Sequence, residues 1–150
     1  MVVFSGDMDK LFAAFIIATG AAASNMDVTM FFTFWGLRAL KKKTRTGISF
    51  LGRLLGFFYG GDINRASPSK LKFAGIGRWM FKKMMKAKRI PTLAEMRQTA
   101  IDLGVKLHGC QMSMEMMEIP REKMIDEVAQ CVGVATFLEQ AQQADITLFV

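Results

Sequence analysis

The first forty residues restrict the fold more than any other part of the chain. "MVVFSG" is a short apolar run ending in a glycine turn and reads as a buried strand, Val2 to Ser5. "GDMDKLFAAFIIATGAAAS" follows, with Asp7 or Asp9 placed to cap a helix by accepting from its free first-turn amides. Its alanine content favours helix, and the near absence of polar residues from Leu11 to Ala23 predicts burial on most sides. After the turn "NMD", the β-branched and aromatic run "VTMFFTFW" reads as a second buried strand. Strand, helix, strand in this space is a βαβ unit, which demands a parallel sheet. The competing membrane reading is poor. Leu11 to Ala23 is 13 residues, against the roughly 20 a spanning helix needs, and Val28 to Leu37 is shorter still.

The rest of the chain extends this pattern. "LRALKKK" reads as a short helix, within an insertion of mixed basic, glycine and aromatic residues over residues 38–67. Pro68 opens a predicted helix on which Phe73, Ile76, Met80 and Met84 share one face and Lys72, Lys82, Lys86 and Arg89 lie away from it. Thr92 caps "LAEMRQTAIDLG", Glu95 three residues on completes a capping box, and Gly104 stops the helix. "VKLHGC" is the third strand. "REKMIDEV" and "VGVATFLEQAQQA" read as helices, and Ile146 to Val150 as a last strand. The expected fold is a single α/β domain of residues 1–150, with a small, doubly wound, mainly parallel sheet of four or five strands and flanking helices.

Charge is segregated. Arg38 to Arg89 carries 15 of the 20 basic residues and Asp62 as its one acid, a net +14. Residues 1–37 carry −2 and residues 90–150 carry −5, which returns the chain's +7. Such a division suits an anionic partner, a membrane surface or self-association of opposite patches. Peripheral docking of the basic 70–89 segment on anionic lipid is one expectation. The aromatics of that segment lack a nucleic-acid-binding pattern, so no nucleic acid is expected. The mean hydropathy of +0.24 and the apolar "FLGRLLGFFYGG" predict a homo-oligomer. Two cysteines make no disulfide framework, no signal peptide is visible, and the expected location is the cytoplasm. His108 is the only histidine, too few ligands for an ordinary zinc site, and no metal or cofactor is expected. No P-loop or GxGxxG follows a strand, which leaves Gly6–Asp7 and Gly60–Gly61 as the sole phosphate-cradling candidates for a nucleotide- or flavin-binding enzyme.

The chemistry concentrates in "LHGCQMSMEMM", Leu107 to Met117. Ligands of open parallel sheets sit beyond the carboxyl ends of strands, where Cys110 falls. A helix beginning at Gln111 favours a thiolate there, the form that acts as nucleophile. The opposite reading is a small buried hydrophobe. His108 lies two residues earlier, on the same face of a strand, and is a candidate auxiliary base. Gly6, Asp7, Gln111 and Met112 are the ligand-proximal candidates at this edge. Cys131 reads as core filler, and its spacing predicts no disulfide with Cys110. Met112, Met114, Met116 and Met117 read as adaptable packing or a contact surface rather than a metal site.

"SGDMDKLFAAFIIATGAAASNMDVTMFFTFWGL", "LHGCQMSMEMM" and "GVATFLEQAQQADITLFV" together resemble the DsrE/DsrF/DsrH-like family, in its branch of larger stand-alone proteins. The resemblance spans nearly the whole chain. It implies a flavodoxin-like α/β layer assembled as dimers, trimers or hexamers, and a sulfur-relay role in which a cysteine carries sulfane sulfur as a persulfide between protein donors and acceptors. Cys110 matches the sulfur-accepting position, and Cys131 matches no motif. Glu118 stands where the family often has glycine after the methionine patch, which puts the local turn in doubt.

Overall fold

The structure, a computed structural model, describes residues 1–44, 46–58, 61–70 and 75–150. The βαβ unit forms as the sequence dictates, with β1 (Val2–Val3), α1 (Met8–Ala23) and β2 (Thr29–Phe32). β3 (Lys106–Cys110) and β4 (Gln130–Val132) complete a four-stranded sheet of order β1-β2-β3-β4, all parallel. Between β2 and β3 lie a 3-10 stretch (Phe34–Leu40), α2 (Phe50–Phe58), α3 (Ile76–Ala87) and α4 (Leu93–Asp102). α5 (Gln111–Met116) follows β3 directly, and α6 (Val134–Gln142) follows β4.

The register assigns alternate strand residues to two faces. Val3, Phe32 and Gly109 align across β1, β2 and β3, and Cys131 of β4 stands opposite Gly109. Met30 and Leu107 share this face. It packs on α1 through Leu11, Ala14, Phe15 and Ala18 and on α4 through Leu93 and Ala100, forming the main core. Val2, Phe31, His108 and Cys110 occupy the other face, together with Val132. There Phe137 of α6 stacks on Phe31 with ring centroids 4.7 Å apart. α6 therefore lies across the face that α1 and α4 leave open. The chain then returns to the far edge of the sheet: the Val2 amide donates to the Leu148 carbonyl (2.7 Å) and the Val150 amide to the Val2 carbonyl (2.9 Å). Helices on both faces of a parallel sheet give the flavodoxin-like, doubly wound layout that the sequence predicted.

Local detail departs from expectation in several places. The first strand stops at Val3 rather than Ser5, because the Phe4 carbonyl accepts from Gly36 of the 3-10 stretch (2.8 Å) instead of continuing the ladder. The last strand is reduced to one parallel bridge, Val2 to Phe149. "REKMIDEV" forms only a 3-10 turn at Arg121–Lys123, and β4 forms where no strand was expected. α3 begins at Ile76 after the left-handed Gly75, not at Pro68. Phe73, Lys72 and Gly60, named in the sequence reading, lie outside the described residues. The capping box is as expected: the Thr92 amide donates to Glu95 Oε2 (2.6 Å) and the Glu95 amide to Thr92 Oγ1 (3.3 Å).

Candidate functional site

Cys110 ends β3 and takes the N-cap position of α5, so the chain leaves the sheet at the thiol. The start of α5 is anchored to the residue that follows β2 by a 2.8 Å hydrogen bond between the hydroxyls of Ser113 and Thr33. Ser113 is fully buried, which fixes the register of α5 over the sheet's carboxyl edge. Cys110 is only 8% exposed and packs with Phe31 and Val132 in a small cluster under Phe137. Met112 and Met116, four residues apart on α5, are 71% and 60% exposed and form a flexible apolar edge of that helix.

His108 lies on the same face as Cys110, two residues back along β3. It is buried, and its Nδ1 has no hydrogen-bond partner among the described residues. Burial, and then the charge of Lys106, hold it below the usual imidazole range, so the neutral ring is favoured. A neutral ring with an open nitrogen is able to take a proton.

Cys131 is one residue out of step with Cys110, and the difference is decisive. Gly109, not Cys110, faces it in the register. A Cβ at Gly109 would lie 3.8 Å from Cys131 Sγ and 3.2 Å from Met114 Sδ, on the face opposite the Cys110 side chain. Both cysteines are free, and the sheet lies between them. Cys131 is half-buried and packs against the main core, and it lines a groove of about 850 Å³ with Gln111, Met114, Glu115, Glu118 and Arg121. Burial pushes its thiol up, against the weaker pull of Arg121.

The other candidates are dispersed. Gly6 abuts the 3-10 stretch, where a Cβ would come 2.5 Å from the Trp35 carbonyl oxygen. Asp7 is the N-cap residue of α1, and its amide donates to Ser5 Oγ at 3.2 Å. Gln111 opens α5 and donates to Glu115 Oε1 at 2.9 Å. Asp9 instead ties down a loop: the Ser69 amide and hydroxyl donate to its carboxylate at 2.9 and 2.7 Å. Glu118, at the departure from the family's glycine, has φ +49°. Its carboxylate accepts from the Ile48 and Ser49 amides just ahead of α2. The turn after the methionine patch therefore holds the segment just ahead of α2 against the end of α5.

Comparison with known proteins gives these positions a setting. The family model described as DsrE/DsrF/DrsH-like matches residues 1–149. This chain belongs to the DsrE/DsrF/DrsH-like family. YrkE of Bacillus subtilis is 38% identical over 152 residues, covering all of this chain and 94% of its own. The sulfur carrier protein DsrE2 of Allochromatium vinosum is 32% identical over 156 residues, covering all of this chain and 96% of its own. As a member of this family, the chain offers a thiol and an imidazole on one sheet face, at the strand end where parallel sheets receive ligands. None of the described helices is long and apolar enough to cross a membrane.

Proposed function

We propose that this protein is a sulfur carrier that accepts sulfane sulfur on Cys110 as a persulfide and passes it to a protein partner. The observation that carries the reading is the Cys110 thiol at the β3–α5 junction of a chain 32% identical, end to end, to a protein named a sulfur carrier. The Cys110 thiolate attacks the sulfane sulfur of a donor persulfide. A bond forms between Cys110 Sγ and that sulfur, the donor's sulfur–sulfur bond breaks, and the donor leaves as a thiolate. No external oxidant or reductant is required, because the electron pair of the broken bond goes to the donor. His108, neutral and on the same strand face, is assigned in this reading the role of accepting the proton of the Cys110 thiol. Met112 and Met116 form the rim against which a partner's cysteine loop docks.

Mass spectrometry after incubation with polysulfide or thiosulfate tests this. The wild type and Cys131→Ser gain about 32 Da, the mass of one sulfur atom, and Cys110→Ser does not. A gain lost only in Cys131→Ser moves the function to the other face. An unmodified wild type, with Cys110 inert to alkylation in the folded protein, supports a second reading. In that reading the chain is a non-catalytic assembly protein and Cys110 is filler. The low exposure of Cys110 and the exposed Phe50, Leu51 and Phe149 favour it.

Both readings include a single domain with residues 38–67 as an insertion, a cytoplasmic location and self-association through apolar surface, with the basic 70–89 segment as a lipid contact. Sedimentation at micromolar concentration and liposome flotation at low salt distinguish these. A monomer that does not float removes both association proposals.

A further inference from the structure

We infer that α3 lies flat in the surface of an anionic bilayer, with Ile76, Met80 and Met84 seated among the acyl chains and its lysines on acidic headgroups. This burial rests on the lipid contact proposed for residues 70–89, and gives that contact a face and a depth.

With about 100° of turn per residue, Ile76, Met80, Met84 and Ala87 fall on one narrow arc of α3. All four are exposed, Ile76 by 65%. The adjoining arc carries Gly77, which is buried, and Phe81 and Met85, which are half-buried against the main core. The body of the protein therefore covers only part of an apolar face that the sequence makes continuous. A stripe of aliphatic side chains about two turns long is left uncovered.

The charge beside that stripe has one sign. α3 and the two residues after it carry Arg78, Lys82, Lys83, Lys86, Lys88 and Arg89, and no acidic residue stands between Asp62 and Glu95. None of these cations meets a carboxylate among the described residues. Arg78 donates to the Arg65 carbonyl at 3.4 Å and Lys82 to the Asn64 carbonyl at 3.1 Å. Lys83 Nζ sits 5.2 Å from the centroid of the Trp79 ring, itself exposed. Asp62 is buried, accepts from Asn64 Nδ2 at 2.9 Å, and its field reaches Lys41 and Arg97. Asp9, tied to Ser69 ahead of α3, has Lys10 as its charged neighbour.

Stripe and cations together select the occupant. A nucleic-acid backbone offers phosphates but nothing to receive Ile76, Met80 and Met84. A protein partner would have to cover Lys82, Lys83, Lys86 and Lys88, and lysine is depleted at such interfaces. An anionic bilayer satisfies both at once. Its acyl chains take the stripe, while the lysine stems run along it and carry their ammonium groups up to the phosphates. Trp79, apolar with a single N–H donor, fits the boundary between the two layers. α3 has 12 residues, too few to cross, so it lies in the plane of the surface.

The full chain is mixed at low salt with vesicles of phosphatidylglycerol and phosphatidylcholine in equal parts, and with vesicles of phosphatidylcholine alone. The expected result is co-flotation with the anionic vesicles only. Lipids brominated on the acyl chains should quench part of the tryptophan emission, and that quenching should vanish in Trp79→Phe, an exposed position. Met80→Gln with Met84→Gln keeps helix propensity at two exposed positions. It should weaken binding by roughly tenfold, the scale of partly burying two apolar side chains. Lys83→Glu with Lys86→Glu should abolish binding. Wild-type protein that does not float removes the lipid contact altogether, and the insertion with it. Flotation lost in the lysine variant but unchanged in the methionine variant, without Trp79 quenching, leaves the lipid contact standing and overturns the insertion. Retention by a DNA duplex and not by vesicles assigns the charge to nucleic acid. A methionine variant that loses self-association without lipid assigns the stripe to a second copy. Either of these results also overturns the inference.

Discussion

The two faces of the sheet use the same strands for different ends. On one face, Val3, Met30, Phe32 and Leu107 are sealed by α1 and α4. On the other, Phe31, Cys110 and Val132 are covered by α6, which has no fully buried residue of its own. Period-two alternation alone decides which thiol goes where, so Cys110 and Cys131 belong to different environments despite being neighbours across β3 and β4. The stable face supplies folding energy. The lightly covered face can open locally at little cost to the whole, which reactive positions require.

The largest effect should come from the sealed face. Phe32 is fully buried and packs on Phe15 with centroids 6.2 Å apart. Phe32→Ala should cost about 3–5 kcal/mol, through lost transfer energy and the cavity left behind. Phe137→Ala on α6 should cost only about 1–2 kcal/mol, because that ring is half-buried. Chemical denaturation of both variants measures the contrast. Equal losses would mean that the faces are equally structural.

Much of this arrangement is legible in the sequence, and the reason is locality. The βαβ unit, the Thr92–Glu95 cap and β3 each declare themselves within a few residues, through periodicity or a side chain reaching its own backbone. Cys110 could be placed at a strand end because "VKLHG" precedes it. β4 was not legible: its three residues are too few for a pattern, and only pairing with His108, Gly109 and Cys110 makes them a strand. Lys41 stands within "LRALKKK", which reads as a short helix, and a bridge to a residue more than eighty positions away holds it buried instead. Long-range pairing leaves no local trace, and it governs both β4 and the Lys41 bridge.

The next effect sharpens the comparison at the thiols themselves. Phe137→Ala uncovers the Phe31–Cys110–Val132 cluster but touches nothing on the α1–α4 face. Alkylation of Cys110 in the folded protein should speed up by roughly tenfold, the effect of removing about 1.4 kcal/mol from a local opening. Cys131, in its groove beyond the sheet, should react at an unchanged rate. Peptide mapping after timed iodoacetamide exposure separates the two. Parallel acceleration of both cysteines would show that the variant loosens the whole sheet, and the distinction between faces would fail.

The smallest effect concerns His108, the titratable residue beside Cys110 on the thinly covered face. Burial and Lys106 place its folded pKa below the ordinary value of 6.5. Below pH 6.5 the unfolded chain therefore takes up a proton that the native protein refuses, so the contribution is present above 6.5 and is lost as pH falls toward the folded value. The carboxylates of Asp9, Glu118 and Asp126 are also held low, but their contributions fade only below the ordinary values of 3.8 and 4.5. The His108 window opens at the higher pH. Stability curves of the wild type and His108→Gln from pH 7.5 to 5.5 should diverge, with the wild type losing more on the acid side. Phe137→Ala should shrink that divergence by admitting water to the ring. Parallel wild-type and His108→Gln curves would mean that His108 is already solvated, and that α6 leaves the Cys110 face more open than Cys110's own burial indicates.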